Sequence, residues 1–273
     1  MTGALPFWRE AGAGQAVVCL HSNASSSAQW RPLIERLAPA CHVFAPDSYG
    51  AGKSPPWPGA RPITLADEVA LLAPVLARAG TPLALVGHSY GAAVALVAAL
   101  ADPGRVRAMA LYEPTLFALV DADTAPPNDA DGIRAAVAAA GRALDAGDTF
   151  AAAERFIDYW MDDGSWQRMA PARQAPIAAQ VADVRAWTHA LFGVTTPLAA
   201  FRALDMPVLY MVGKRSTPAA HAVARLLVAT LPRVELVEFD GLGHMGPVTH
   251  AEVVNEAVAR FLERTGATTD RAP

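Results

Sequence analysis

Six short apolar runs recur along the chain, and most of the stretches between them carry helical spacing. The runs are "AVVCLHS" (16–22), "HVFAPD" (42–47), "LALVGHS" (83–89), "VRAMALYE" (ending at Glu113), "VLYMVG" (208–213) and "VELVEFD" (234–240). Runs this short and this apolar offer little polar face to solvent, so they belong in a parallel sheet covered by helices on both sides. The covering helices are also present. "SSAQWRPLIERLAP" sets Trp30, Leu33, Ile34 and Leu37 at helical spacing. "TLADEVALLAPVLARAG" runs from Thr64 as N-cap to Gly80 as stop, with Glu68 one position late for a capping box. "EVVNEAVARFLERTG" reads as a closing amphipathic helix. An α/β fold with a mostly parallel sheet follows, and 273 residues suffice for one large domain or one domain with an insertion.

One stretch interrupts the alternation. Between about Leu119 and Leu204 no strand is expected. "DADTAPPNDADG" (121–132) reads as a turn-rich linker, and its acidic pair lacks the glycine and closing glutamate of a calcium loop. "GIRAAVAAAGRALDAGD" and "DTFAAAERFIDYWMDD" read as two helices broken at Gly147, and "PIAAQVADVRAWTHALFG" as a third. Phe150, Phe156, Tyr159 and Trp160 fall largely on one side of the second. The expected organisation is a core of residues 1–118 and 205–266, an inserted helical cap over 119–204, and a tail over 267–273. The cap's inner face, with Phe156, Trp160, Trp187 and Phe192, is expected to line a pocket for an apolar or aromatic substrate.

Composition removes several classes of function. A formal net charge of -4 with no Lys/Arg-rich run gives no footprint for nucleic acid. The longest apolar stretch, Ala92 to Ala101, is about half of what a bilayer span needs. "MTGALPFWRE" lacks the basic start and apolar core of a signal peptide, so a soluble cytoplasmic protein is expected. Cys19 and Cys41 fall in or at the start of apolar strands, as buried thiols would. Without HxxxH or CxxC spacing, no metal and no cofactor are expected. Oligomeric state is not legible.

The chemistry concentrates in "LVGHSYGAA". Gly87-His88-Ser89-Tyr90-Gly91 sits between an apolar strand and a small-residue helix. A serine at such a sharp turn needs glycines beside it, because side chains there would collide. A serine hydroxyl attacks only when a base takes its proton. His244, in the glycine-rich loop "FDGLGHMGPVTH", is the best-placed base; His250 sits at the mouth of the closing helix as a surface or capping residue.

These features resemble the α/β-hydrolase-fold serine hydrolases over nearly the whole chain outside the cap. "LHSNASSSAQW" is similar to the family's oxyanion loop, "DSYGAGKS" (47–54) to its next glycine loop, and "GHMGPVTHAEVVNEAVARFL" to its histidine loop and final helix. The resemblance implies that the backbone N–H groups of Asn23 and Tyr90 form the oxyanion hole. It also exposes a departure, since the family's usual His-Gly is His21-Ser22 here. Ser22 either asks for a different backbone turn or adds a hydroxyl to the pocket.

The acid is the second departure. The family most often places it after the strand at 208–213, where this chain reads "VGKRSTP". Asp205, Asp240, Glu238, Asp47 and Glu113 remain. Asp205 precedes its strand, Glu238 and Asp240 lie close in the chain to His244, and Asp47 resembles part of a structural loop. Glu113, at the end of the strand after the nucleophile helix, fits best, as in certain haloalkane dehalogenases; Asp240 stays as the alternative. The expected activity is cleavage of a carboxylic ester of a small, apolar substrate through an acyl-enzyme on Ser89, with His244 as base and Glu113 orienting it. A thioesterase, lactonase, C–C bond hydrolase or perhydrolase would use the same triad, and a non-enzymatic ligand receptor would use the same fold. Serine in place of aspartate argues against epoxide hydrolysis and dehalogenation.

Overall fold

The computed structural model describes residues 4–266, so the expected tail over 267–273 lies outside the described residues. The strands are β1 (Trp8–Ala11), β2 (Gln15–Leu20), β3 (Cys41–Pro46), β4 (Leu83–His88), β5 (Val106–Tyr112), β6 (Val208–Gly213) and β7 (Val234–Phe239). They form one sheet in the order β1-β3-β2-β4-β5-β6-β7. Only β1 runs antiparallel, against β3. Leu20 pairs with Gly87, Gly87 with Leu111, and Tyr112 with Met211, which brings the carboxyl ends of four central strands level. Strand β1, "WREA", is absent from the six expected runs because it is short and only partly buried. At the other edge, β7 is half exposed, with Val234 packed on one core layer and Val237 and Phe239 on the other.

Helices α1 (Arg31–Leu37), α2 (Leu65–Ala79) and α3 (Tyr90–Ala101) follow β2, β3 and β4. Between β5 and β6 come α4 (Phe117–Asp123), α5 (Asp131–Asp145), α6 (Thr149–Trp160), α7 (Ser165–Arg168), α8 (Pro171–Val181) and α9 (Val184–Phe192). Helices α10 (Pro218–Thr230), α11 (Gly246–Thr249) and α12 (Ala251–Arg264) complete the chain. The core divides into two layers. Val18, Leu20, Met109 and Leu111 pack with α2, α3 and α10 on one face of the sheet. Val17, Cys19, Ala108 and Ala110 pack with α1 and α12 on the other. Alternate strand residues thus serve opposite faces, as parallel strands buried on both sides must. The four expected apolar positions of the first helical segment, Trp30, Leu33, Ile34 and Leu37, are all buried.

The segment between β5 and β6 differs from expectation in three places. The chain is already helical at Phe117, and α4 runs through Asp123 into the expected linker. Arg134 ties Asp121 and Asp131 together there. "PIAAQVADVRAWTHALFG" is two helices, α8 and α9, because the chain turns at Ala182 and Asp183. Phe150 is 49% exposed, away from the buried Phe156 and Trp160, because it sits in the first turn of α6 on the outer side. The break at Gly147 occurs as expected, with φ at 78°, and the Asp148 carboxylate caps α6 by accepting from the Ala151 N–H at 2.8 Å. Among the described residues, no helix is long and apolar enough to cross a membrane.

The start of α2 carries a capping box, with Asp67 rather than Glu68 as its acid. The Asp67 carboxylate accepts from the Thr64 N–H at 2.9 Å, and the Thr64 hydroxyl accepts from the Asp67 N–H at 3.4 Å. Glu68 is thereby free to turn inward. It accepts from the Tyr49 N–H at 3.3 Å and the Tyr90 hydroxyl at 3.2 Å, tying the 47–54 loop to α3. Burial pushes its carboxyl up from 4.5 to about 7. Because the neutral form suits the fold, its contribution to stability is complete below 4.5 and is lost as pH rises through about 7. Glu68→Gln is therefore expected to flatten the loss of stability over that interval, read as the urea midpoint across pH. Parallel curves for the two proteins would exclude Glu68 as its source.

Candidate active site

Ser89 lies between the last residue of β4 and the first of α3, with φ 56° and ψ -117°. The neighbouring glycines explain how the chain tolerates it. A Cβ at Gly87 would strike the backbone of Ala92, and one at Gly91 would strike the carbonyls of Leu20 and His21. The Ser89 N–H donates to the Tyr112 carbonyl at 2.9 Å, which fixes the turn to the end of β5.

His244 reaches Ser89 from the loop after β7. Two hydrogen bonds hold that loop from below: the Tyr112 hydroxyl donates to the Gly243 carbonyl at 2.8 Å, and His88 Nε2–H donates to the His244 carbonyl at 2.9 Å. The imidazole itself is 2% exposed. Its Nδ1 lies 2.6 Å from Glu113 Oε2 and its Nε2 lies 2.8 Å from Ser89 Oγ. A carboxylate accepts, so Nδ1 carries the proton and the lone pair of Nε2 faces the serine hydroxyl. The Trp160 ring stacks on the imidazole with centroids 3.9 Å apart and planes 27° apart.

Glu113 is wholly buried and, among the described residues, bonds no arginine. Three donors converge on its carboxylate: His244 Nδ1–H, the Gly213 N–H at 2.8 Å and the Ser216 hydroxyl at 2.6 Å. Two of the three come from "VGKRSTP", the loop that lacks an acid. Strand β5 ends at Tyr112, and Glu113 takes φ 46°, beyond the strand rather than at its end. Pro114 biases Glu113 toward an extended conformation, and the positive φ departs from that bias because the three bonds to its carboxylate fix the turn. Asp240 is elsewhere: it is exposed and pairs with Lys214 at 2.8 Å. Asp47 holds its own loop, accepting from the N–H groups of Ser27 at 2.6 Å and Lys53 at 2.9 Å. Asp205 and Glu238 are exposed. His250 stands at the start of α12, paired with the Thr249 hydroxyl at 2.9 Å.

Backbone strain gathers here too. Among the described residues the non-glycine positions with positive φ are Ala24, Ser89 and Glu113. Such residues persist where the surroundings over-determine them, and they cluster at functional sites. Ala24 was not legible as one of them, since alanine gives no hint of a left-handed turn.

A cavity of about 420 Å³ opens over Ser89 and His244. Ser22, Asn23, Phe156, Trp160, Trp187 and Phe192, all named from sequence, line it. Tyr90 does not line it; its side chain is buried toward Glu68, and its N–H belongs to the first turn of α3, where no intrahelical acceptor exists. Sequence reasoning missed Met161, Met169 and Met245, the aliphatic wall of Ile133, Val137, Ile177 and Leu191, and the polar Thr115 and Arg173. The helical ones, Ile133, Val137, Ile177 and Leu191, are spaced as ordinary core residues are, and Thr115, Met161, Met169 and Met245 lie outside the helices, where no periodicity marks them.

A model of the alpha/beta hydrolase fold matches residues 15–251. The pimeloyl-[acyl-carrier protein] methyl ester esterase of Xanthomonas campestris pv. campestris is 30% identical over 260 residues, covering 92% of this chain and 96% of that protein. The lipase LipV of Mycobacterium tuberculosis is 38% identical over 101 residues, 37% of each chain. An alpha/beta hydrolase from Sphaerobacter thermophilus superposes with a TM-score of 0.72 at 26% identity, over 95% of both chains. The chain belongs to the α/β-hydrolase fold family.

An imidazole N–H shared with a buried carboxylate at 2.6 Å should give a proton resonance well downfield of the amide envelope. Proton NMR of the native protein is expected to show it, and Glu113→Gln to move or remove it. A spectrum unchanged by that substitution would contradict this hydrogen bond.

Proposed function

We propose that the protein is a serine hydrolase that cleaves a carboxylic ester through an acyl-enzyme on Ser89. The observation that carries this reading is the unbroken hydrogen-bonded line from Ser89 Oγ through His244 to Glu113, facing an apolar cavity. Membership of the hydrolase family and the esterase and lipase names of the relatives support the ester bond as its target.

In this mechanism Ser89 Oγ attacks the acyl carbonyl while His244 Nε2 takes its proton. Glu113 keeps the proton of Nδ1 in place and stabilises the imidazolium. The tetrahedral oxyanion is held by the backbone N–H groups of Tyr90 and Asn23, which act on charge that exists only after attack. His244 then protonates the departing alkoxide. Water, deprotonated by the same imidazole, releases the acid and restores Ser89. No cofactor takes part in these steps.

Helices α4 to α9 serve as a cap whose aromatic and methionine side chains close over the substrate. A cavity of about 420 Å³ suits a small acyl group. Its apolar walls favour an uncharged chain over a polar one. A serine nucleophile attacks a carbonyl carbon and leaves an ester-linked acyl group, which suits this cavity better than the alkyl displacement carried out by a carboxylate.

The test is labelling by a fluorophosphonate probe together with hydrolysis of p-nitrophenyl esters of increasing acyl length. Native protein is expected to be labelled and Ser89→Ala not to be. Glu113→Gln should lower kcat by about 10²–10⁴ with the fold retained, and turnover should fall once the acyl chain outgrows the cavity. A native protein that neither labels nor turns over any ester of the panel would overturn the reading.

A further inference from the structure

A second polar chain runs beneath the first and uses none of its side chains. His88 Nε2 lies 2.9 Å from the His244 carbonyl, which can only accept, so Nε2 carries the proton. Burial, then the neighbouring His244, pushes the His88 imidazole well below its ordinary range and keeps it neutral. Its Nδ1 must therefore accept, and the group 3.1 Å away is Gln29 Nε2, a donor. That fixes the Gln29 amide with Oε1 turned to Ser22, where it accepts from the Ser22 N–H at 3.2 Å and the Ser22 hydroxyl at 3.1 Å. The Ser22 carbonyl accepts in turn from His21 Nδ1–H at 2.7 Å. Every donor meets an acceptor in one orientation only, and the order Ser22 to Gln29 to His88 to His244 cannot be reversed.

We infer that Gln29 and His88 are positioning residues that lock the oxyanion loop and the His244 loop into one register. The inference rests on the serine-hydrolase reading above. Ser22 precedes Asn23, His88 precedes Ser89, and the chain ends on the backbone of His244 itself. Each of the three machinery segments is thus held by a main-chain or adjacent contact from one continuous network. Serine at position 22 has a place in it: its hydroxyl is bound to Gln29 and is not offered to the substrate as a donor. Displacing either end by a fraction of an ångström would misalign the base against the oxyanion donors. Such misplacement acts on the transition state more than on substrate binding.

The experiment compares native protein with Gln29→Leu, His88→Ala, His88→Gln and the double variant Gln29→Leu/His88→Ala. Readouts are the rate of Ser89 labelling by a fluorophosphonate, kcat and KM for p-nitrophenyl acetate, and thermal unfolding. Gln29→Leu, at a half-buried position, and His88→Ala are each expected to lower labelling rate and kcat by about 10- to 100-fold, with KM changed less than about twofold. The double variant should be no slower than the slower single one, because both break one chain. His88→Gln places an amide N–H near the site of Nε2 and should recover most of what His88→Ala loses. The inference falls if folded Gln29→Leu labels and turns over at the native rate, if the two losses multiply, or if His88→Gln is as slow as His88→Ala. Native protein that fails to label would instead remove the serine-hydrolase reading and this inference with it.

Discussion

A wholly buried carboxylate needs partners for its charge, and among the described residues Glu113 finds them in three hydrogen-bond donors. Left unpaired, a buried charge of this kind would cost several kcal/mol. Its three donors come from the His244 loop, the tip of β6 and the turn that follows. The site therefore stands only when the sheet is complete from β5 to β6 and the last loop has docked. The tip of β6 and the turn after it carry no acid and supply two of these donors, the Gly213 N–H and the Ser216 hydroxyl. Adjacent strand tips lie about 4.8 Å apart. An acid on the tip of β5 is therefore within reach of donors on the tip of β6.

Support for the site comes from below, through the sheet. Ala24, Ser89 and Glu113 adopt a backbone conformation that costs roughly 1–3 kcal/mol each. All three follow strand ends whose residues are buried on both faces, and the packed layers resist the relaxation that would relieve them. Tyr112 shows the coupling most directly. Its carbonyl accepts from Ser89 and its hydroxyl donates to Gly243, so the last residue of β5 braces both the serine turn and the histidine loop.

What could be read from sequence followed from strong local patterns. The interior strands announced themselves because residues buried on both faces leave an apolar run, and Ser89 because G-x-S-x-G admits few other uses between a strand and a helix. Glu113 emerged by elimination once "VGKRSTP" offered no acid. Strand β1 was invisible, since "WREA" has neither length nor consistent polarity. The capping box went unnoticed because aspartate at the third position is one methylene shorter than the usual glutamate. The turn at Ala182 and Asp183 carries no glycine or proline. The contacts of His88 could not be read locally, since its partners Gln29 and His244 lie at sequence separations of 59 and 156.

The stretch from Glu113 to Phe117 has a further implication. Five consecutive residues carry the buried acid, the proline that follows it, a wall hydroxyl from Thr115 and a ring from Phe117 that meets both Trp160 and Phe192. On the proposed mechanism, fit of the guest molecule and aim of the acid are written on one short piece of backbone. A change of wall at 115 or 117 falls within four residues of the turn at 113, so on that mechanism selectivity and proton handling would share that segment.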